Sequence, residues 1–312
     1  MKPKALFVML ILWLSFTTIQ ARSTEDVPDK GTYAKFLLVG CYMKPDEEGV
    51  RMYRFDGQTA DVDYPCGLRG ISNPAFLTSD STGNRIYAIG DDEGKSSTAN
   101  ALLFDKESGL LSLLNSQSTD GELPIYITLS PKEYFVLTAN YKGGSITVFS
   151  QDKKGKLQRD TKIIRFAGNG PNKKRQEQSH LHCVTFTPDG KFLLATDLGT
   201  DCIYLFPIGK RPEAGKAHSL LDESRVVRIQ MDSGSGPRHI CFHPNGRFAY
   251  LISELSGKIT VFSYNEGKLE RLQTIVCDPF VAEGNADIHV SSDGKFLYAS
   301  KHLKEEIGRA HV

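Results

Sequence analysis

This sequence has no excess of either charge: 38 Lys and Arg stand against 37 Asp and Glu, a formal net charge of +1. A balance this even leaves no electrostatic footprint for nucleic acid or an anionic membrane surface. Any anionic ligand must therefore be held by a few placed side chains. Also missing are a Cys-x-x-Cys pair, His-Glu-x-x-His, a calcium loop, a Gly-x-Ser-x-Gly elbow and a phosphate-cradling glycine loop opening a helix. Those absences argue against the usual metal centres, the nucleophile elbow and the nucleotide-binding loops; neither a metal nor a cofactor is expected. Asp91–Gly94 reads as a solvated acidic loop, and GNGPNKKRQEQ (168–178) as a polar insertion.

Long apolar runs are scarce as well. The single one, Ala5–Phe16, follows Lys2 and Lys4 and precedes a polar stretch ending in Ala21. It is well short of the roughly twenty residues a spanning helix needs, so residues 1–21 read as a secretory signal. No cysteine follows closely enough for lipid modification. Residues 22–312 are then expected to be one soluble, exported domain, periplasmic or extracellular, with no membrane attachment once the signal is removed. The six cysteines, at positions 41, 66, 183, 202, 241 and 277, form no close pair. A chain this long needs no covalent staples, and buried free thiols are expected. Cys183 and Cys241 fall at equivalent places in two repeats, which assigns them to separate cores.

What the sequence does contain is repetition. TPDGKFLLATD (187–197), HPNGRFAYLIS (243–253) and SSDGKFLYASK (291–301) are copies of one another, with weaker copies in SPKEYFVLTAN (130–140), STGNRIYAIGD (81–91) and AKFLLVGCY (34–42). Each pairs a turn, often Asp-Gly or Asn-Gly, with an apolar strand. The aligned residues Phe36, Ile86, Phe135, Phe192, Phe248 and Phe296 lie 48 to 57 residues apart. A strand precedes each turn and two more follow it, as in KITVFSYN (258–265) and KLERLQTIV (268–276). Four antiparallel strands every fifty residues or so describe the blade of an all-β propeller, whose blades must stack around an axis to cover their faces. The sixth copy stops early and IGRAHV (307–312) carries no strand pattern. The domain is therefore expected to be an incomplete ring whose last residues are an assembly artefact matching a sequencing adapter, and to be poorly soluble through its open strand edges.

In a propeller the starts of the first strands converge on the central channel. His180 and His182, Arg238 and His239, and Asp287 and His289 occupy that place in three successive repeats. Glu254 lies just past YLIS (250–253), where the chain crosses to the next strand. Each histidine taken alone could simply satisfy backbone groups. Polar residues recurring at three equivalent places point instead to a shared site.

These segments, RQEQSHLHCVTFTPDGKFLLATDLGTDCIYLF (175–206), GPRHICFHPNGRFAYLISELSGKITVFSY (236–264) and NADIHVSSDGKFLYAS (285–300), resemble the signature regions of the 6-phosphogluconolactonase family of seven-bladed β-propellers. That family also holds the fungal carboxy-cis,cis-muconate cyclase. The resemblance runs over residues 34–303 and implies a seven-bladed fold, hydrolysis of a sugar lactone, and active-site residues at His182, Arg238 and Glu254. It departs after YAS (298–300), where Lys301 and His302 stand in place of the family's Asn-Arg pair. The residue types suit the chemistry. His182, ordinarily titrating at about 6.5, could take a proton from water. Arg238 offers a fork of donors to an oxyanion or carboxylate, and Glu254 could orient the histidine or act as the base. His180, His239, Asp287 and His289 are then substrate-binding candidates. The expected partner is a small-molecule lactone acted on by a monomer. The alternatives are a non-catalytic propeller that binds carbohydrate or protein, and a cycloisomerase of the muconate type.

Overall fold

The computed structural model describes residues 9–10, 34–210, 212–277, 284–302 and 307–311. Those residues form six antiparallel sheets in chain order, which we number as blades 1 to 6. Blade 1 is built from Ala34–Gly40, Val50–Asp56 and Val62–Leu68, with Met9–Leu10 against its first edge. Blade 2 holds Leu77–Ser79, Arg85–Asp91, Ser97–Asp105 and Leu110–Ser118, and blade 3 holds Pro124–Leu129, Phe135–Asn140, Ser145–Gln151 and Leu157–Arg165. Blade 4 runs from Leu181–Phe186 through Phe192–Asp197 and Cys202–Pro207 to Val227–Gln230. Blade 5 follows with Pro237–Phe242, Phe248–Ser253, Lys258–Asn265 and Lys268–Val276, and blade 6 with Asn285–Val290, Phe296–Lys301 and Ile307–His311. From blade 2 onward the first strands pack against one another in series, which defines the axis.

Side-chain alternation explains why the blades stack. In the second strand of blade 3, Phe135, Leu137 and Ala139 join one core, shared with blade 4, whereas Val136 joins another, shared with blade 2. The same division recurs in blade 2 (Ile86 and Ala88 against Tyr87 and Ile89) and in blade 5 (Ala249 and Leu251 against Tyr250 and Ile252). Successive side chains of a strand leave by opposite faces, and here both faces are covered by neighbours. The strand is therefore buried on both faces, and its apolar residues Phe135, Val136 and Leu137 run consecutively instead of at every second position. Phe135–Asn140 and Ser145–Gln151 are buried along their whole length, while the outermost Lys268–Val276 is almost wholly exposed. Five apolar clusters fill the five interfaces between the six blades.

The repeated turns take the expected form. Gly190, Gly246 and Gly294 have φ between 66° and 75°. In the weaker copy of blade 3 the same left-handed position is held by Glu133, φ 56°, a conformation that strains any residue with a Cβ. In blade 2 the turn is closed by the Asp80 N–H to the Arg85 carbonyl, as the Thr187 N–H to Phe192 closes blade 4. The equivalent of Phe192 is therefore Arg85, one residue before the Ile86 that sequence alignment chose. Apolar character pulled the alignment onto the wrong register.

Two further differences concern the C-terminal residues and the thiols. Ile307–His311 is a strand paired with Phe296–Ser300, although no strand was expected there. Phe296–Lys301 thus has a strand on each side, Asn285–Val290 and Ile307–His311. All six cysteines are free, but only Cys41, Cys183 and Cys202 are fully buried; Cys66, Cys241 and Cys277 are half-buried. Cys183 sits in the core between blades 4 and 5, and Cys241 packs against the next one. The signal sequence read in residues 1–21 lies outside the described residues apart from Met9–Leu10. Among the described residues, no helix is long and apolar enough to cross a membrane.

Glycine is required at one close approach near the axis. A Cβ on Gly199 would run into the Gln178 carbonyl oxygen and come within 2.8 Å of the His180 nitrogen. Both are backbone atoms that cannot turn aside. Gly199→Ala is expected to destabilise the protein by about 2 kcal/mol, within the range for overpacking. Urea titration checks this, and an unchanged midpoint would show that the chain moves apart at little cost.

Candidate active site

Four consecutive first strands carry a bulge at the same place. Pairing with the second strand slips by one residue at Ile125 in blade 3, His182 in blade 4, Arg238 in blade 5 and within Ala286–Asp287 in blade 6. An extra residue bends the strand and re-aims the side chains beside it. Here the bulges fall where polar residues begin, and they bring residues of different blades into contact at the axis.

Arg238 is the centre of that cluster. Its Nη1 donates to His182 Nε2 at 2.6 Å and to Glu254 Oε2 at 2.6 Å, while its Nε donates to the Ala286 carbonyl at 2.7 Å. Glu254 Oε1 accepts from Arg175 Nη2, also at 2.6 Å. The carboxylate thus bridges two guanidinium groups. Arg238 and Glu254 are 13% and 8% exposed, against 42% for Arg175, so the pair is buried and the second arginine stands at the rim. Burial works to raise the Glu254 carboxyl, but Arg238 and Arg175 outweigh it and hold it below its usual range. Two positive side chains share one negative one, leaving the cluster a positive surplus. An arginine can only donate, so His182 Nε2 must be an acceptor and its proton sits on Nδ1. Burial, then the charges of Arg238 and His239, push the His182 pKa well down, and the ring is neutral at physiological pH.

A second polar group adjoins the first. His239 Nδ1 lies 2.7 Å from Asp287 Oδ1, and His289 Nε2 is 2.9 Å from Asp287 Oδ2. The His239 ring meets side chains from four other blades: Phe76, Tyr126, His182 and Asp287, at centroid distances of 6.1, 5.2 and 5.0 Å for the three rings. Burial opposes the Asp287 charge, but the two histidines hold its carboxyl well below the usual range. His239 is lowered by burial and only partly restored by Asp287. His182 Nδ1 and His239 Nε2 are buried and have no hydrogen-bond partner among the described residues.

The seven sequence-selected residues thus separate into three situations. His182, Arg238 and Glu254 are in mutual contact, His239 lies against His182, and Asp287 joins through His239. His289 reaches the cluster only through Asp287 and is 53% exposed. His180 is occupied elsewhere: its ring stacks on Tyr141 at 4.3 Å, with Nδ1 at 3.1 Å from the Tyr141 carbonyl oxygen and Nε2 at 3.1 Å from Glu177. It supports a wall of the site through the tyrosine and has no nitrogen left for a substrate.

Several neighbours escaped sequence reasoning. Arg175 belongs to the 168–178 insertion, which therefore reaches Glu254 in the cluster. Tyr141 contacts Arg175 through its hydroxyl at 3.4 Å and His182 edge-on at 5.7 Å. His302 lies close enough to Arg238 and Glu254 to feel both charges; burial and then Arg238 push its pKa down to about 4. Tyr141, Glu254 and His302 each stand six residues after the aligned phenylalanine of their repeat, at Phe135, Phe248 and Phe296. That offset was the available signal. No cluster of three or more potential metal-ligating side chains occurs among the described residues.

Comparison with known proteins agrees with this architecture. A family model described as lactonase, 7-bladed beta-propeller, matches residues 36–312. The 6-phosphogluconolactonase of Bacillus subtilis is 33% identical over 277 residues, covering 86% of this chain and 75% of its own length. A crystal structure from Bacteroides fragilis superposes with a TM-score of 0.84 at 39% identity, covering 92% of this chain and 80% of that one. The periplasmic gluconolactonase of Pseudomonas aeruginosa gives 0.74 at 28% identity, covering 89% and 83%.

Proposed function

The chain belongs to the seven-bladed β-propeller lactonase family, and on that premise we propose that it hydrolyses a sugar lactone at the cluster of His182, Arg238 and Glu254. The observation that carries this is the Arg238 guanidinium, buried at the axis and shared between His182 and Glu254 at 2.6 Å each. Water adding to a lactone carbonyl puts negative charge on the carbonyl oxygen. A fixed, partly desolvated arginine stabilises that charge with little reorganisation. Nε and Nη1 are taken up within the protein, which leaves Nη2 for the substrate. Glu254 holds Arg238 and Arg175 side by side against their mutual repulsion. The rings of Tyr126, Tyr141 and Phe76 give the site apolar surface, as small-molecule sites require.

The gluconate lactones are the substrate class that the relatives' names support, at identities of 28 to 33%. The Lys2–Ala21 signal pattern supports an exported enzyme, and an exported enzyme favours an unphosphorylated lactone over its 6-phosphate. A pH-stat panel of glucono-δ-lactone, its 6-phosphate and two γ-lactones tests the reading. We expect saturable acid release above the spontaneous rate with at least one δ-lactone, and preference for the unphosphorylated form. Binding without acid release from any of them would favour a non-catalytic propeller; ring closure in the reverse direction would favour a cycloisomerase.

A further inference from the structure

We propose that the proton acceptor in this hydrolysis is His239, through Nε2, with Asp287 as the residue that positions it. The proposal rests on the lactonase reading above and assigns the base within it. The other candidates are occupied. Both oxygens of Glu254 are bound by arginines. His182 spends its Nε2 lone pair on Arg238, and its Nδ1 carries the proton. Both ring nitrogens of His180 are used within the protein.

His239 has the opposite arrangement. Its Nδ1 lies 2.7 Å from a carboxylate oxygen of Asp287, which accepts the Nδ1 proton and so leaves Nε2 as a bare lone pair. Asp287 is itself fixed by His289 at 2.9 Å and by the Ile288 N–H at 2.9 Å. A base held by a second group that is itself held is the usual construction for proton abstraction from a nucleophile. The Nε2 atom is buried and without a partner among the described residues. It sits on the ring that touches side chains of blades 2, 3, 4 and 6, next in the chain to Arg238. Base and oxyanion donor are thus adjacent residues of one bulged strand.

The step balances without a further reactant. Nε2 takes one proton from water as the water oxygen bonds to the lactone carbonyl carbon. The carbonyl π pair moves to oxygen, beside Arg238. As that pair returns, the ring C–O bond breaks, and the departing alkoxide takes the proton back from Nε2. The product is the hydroxy acid, and His239 ends neutral, as it began.

The charged and titratable groups facing His239 come from several blades: Tyr126 from blade 3, His182 from blade 4, Arg238 from its own strand, and Asp287, His289 and His302 from blade 6. Among those acting on His239, Asp287 raises its pKa, whereas Arg238 and His289 lower it. Asp287→Asn therefore removes the raising charge. The rising limb of kcat/KM against pH should move to lower pH while the plateau falls at least about tenfold. His239→Gln should lower kcat by about 10² to 10⁴, with KM within about threefold. Ring ¹⁵N spectra of the unaltered protein add a readout independent of turnover and of how the variants fold: His239 should be protonated on Nδ1 and bare on Nε2. A parent that hydrolyses lactone while His239→Gln keeps its rate, or a His239 protonated on Nε2, overturns the proposal and leaves the lactonase reading standing. A parent that hydrolyses no lactone overturns both.

Discussion

Arg238→Ala should reduce kcat/KM for lactone hydrolysis by about 10² to 10³, the loss found when one oxyanion donor is removed, or about 3 to 4 kcal/mol of transition-state stabilisation. The change deletes the one side chain that, among the described residues, touches His182, Glu254 and the blade 6 backbone together. Arg175 still neutralises Glu254 through Oε1, so the carboxylate keeps one partner and the fold should survive. Arg238→Lys makes the sharper comparison. It restores the charge but not the planar fork, and a single ammonium cannot serve His182, Glu254 and a substrate oxygen at once. We expect it to recover less than a tenth of the lost rate. Steady-state kinetics on folded variants decides the matter, and parental turnover in either variant would remove Arg238 from the mechanism.

Asp197→Ala is expected to be the most destabilising polar substitution near the axis. Asp197 is fully buried at the end of the second strand of blade 4. Its carboxylate accepts from Ser179 Oγ (2.7 Å), the His180 N–H (2.8 Å), the Gly199 N–H (3.0 Å), and the N–H and hydroxyl of Thr200 (3.3 and 2.7 Å). Removing it strands several donors in a water-poor turn, and each unsatisfied group costs roughly 1–3 kcal/mol before relaxation. The net loss should be about 4 kcal/mol, or about 6 °C in Tm for a chain of this size. Asp197→Asn, which keeps one oxygen, should lose about half as much. Calorimetry tests this, and a shift under 2 °C for the alanine variant would show that the turn is held by packing alone.

How far the sequence foretold this molecule depended on whether the information was periodic. Fifty-residue recurrence of glycine turns and apolar strands is set by local backbone demands, so the blade, its four strands and their order follow from residues close in sequence. The same periodicity brought out His182, Arg238, His239, Asp287 and Glu254, because equivalent positions in a ring converge. Arg175 was out of reach for the opposite reason: it sits in an insertion with no counterpart in other blades, and only the packing of blade 4 against blade 5 brings it onto Glu254. His180 and His182 look interchangeable in the sequence. The bulge at His182 separates them, turning one ring to Arg238 and the other to Tyr141 and Glu177. The role first given to His182 depended on a free lone pair, and lone-pair occupancy is a property of three-dimensional contacts that no spacing rule records.

The division of each inner strand between two neighbouring cores has a consequence for how such a chain can change. Odd and even positions answer to different partners, so deleting or inserting one residue in a strand such as Phe135–Asn140 would hand each neighbour the side chains shaped for the other. Two seams would misfit at once, on either side of a single edit. Length variation should therefore collect in the connections, as it has between residues 168 and 178 and between Pro207 and Val227, where the cost is mainly loop entropy. A new rim residue such as Arg175 can be acquired there without disturbing the interior, which makes the linkers the place where relatives of this fold can diverge in what they recognise.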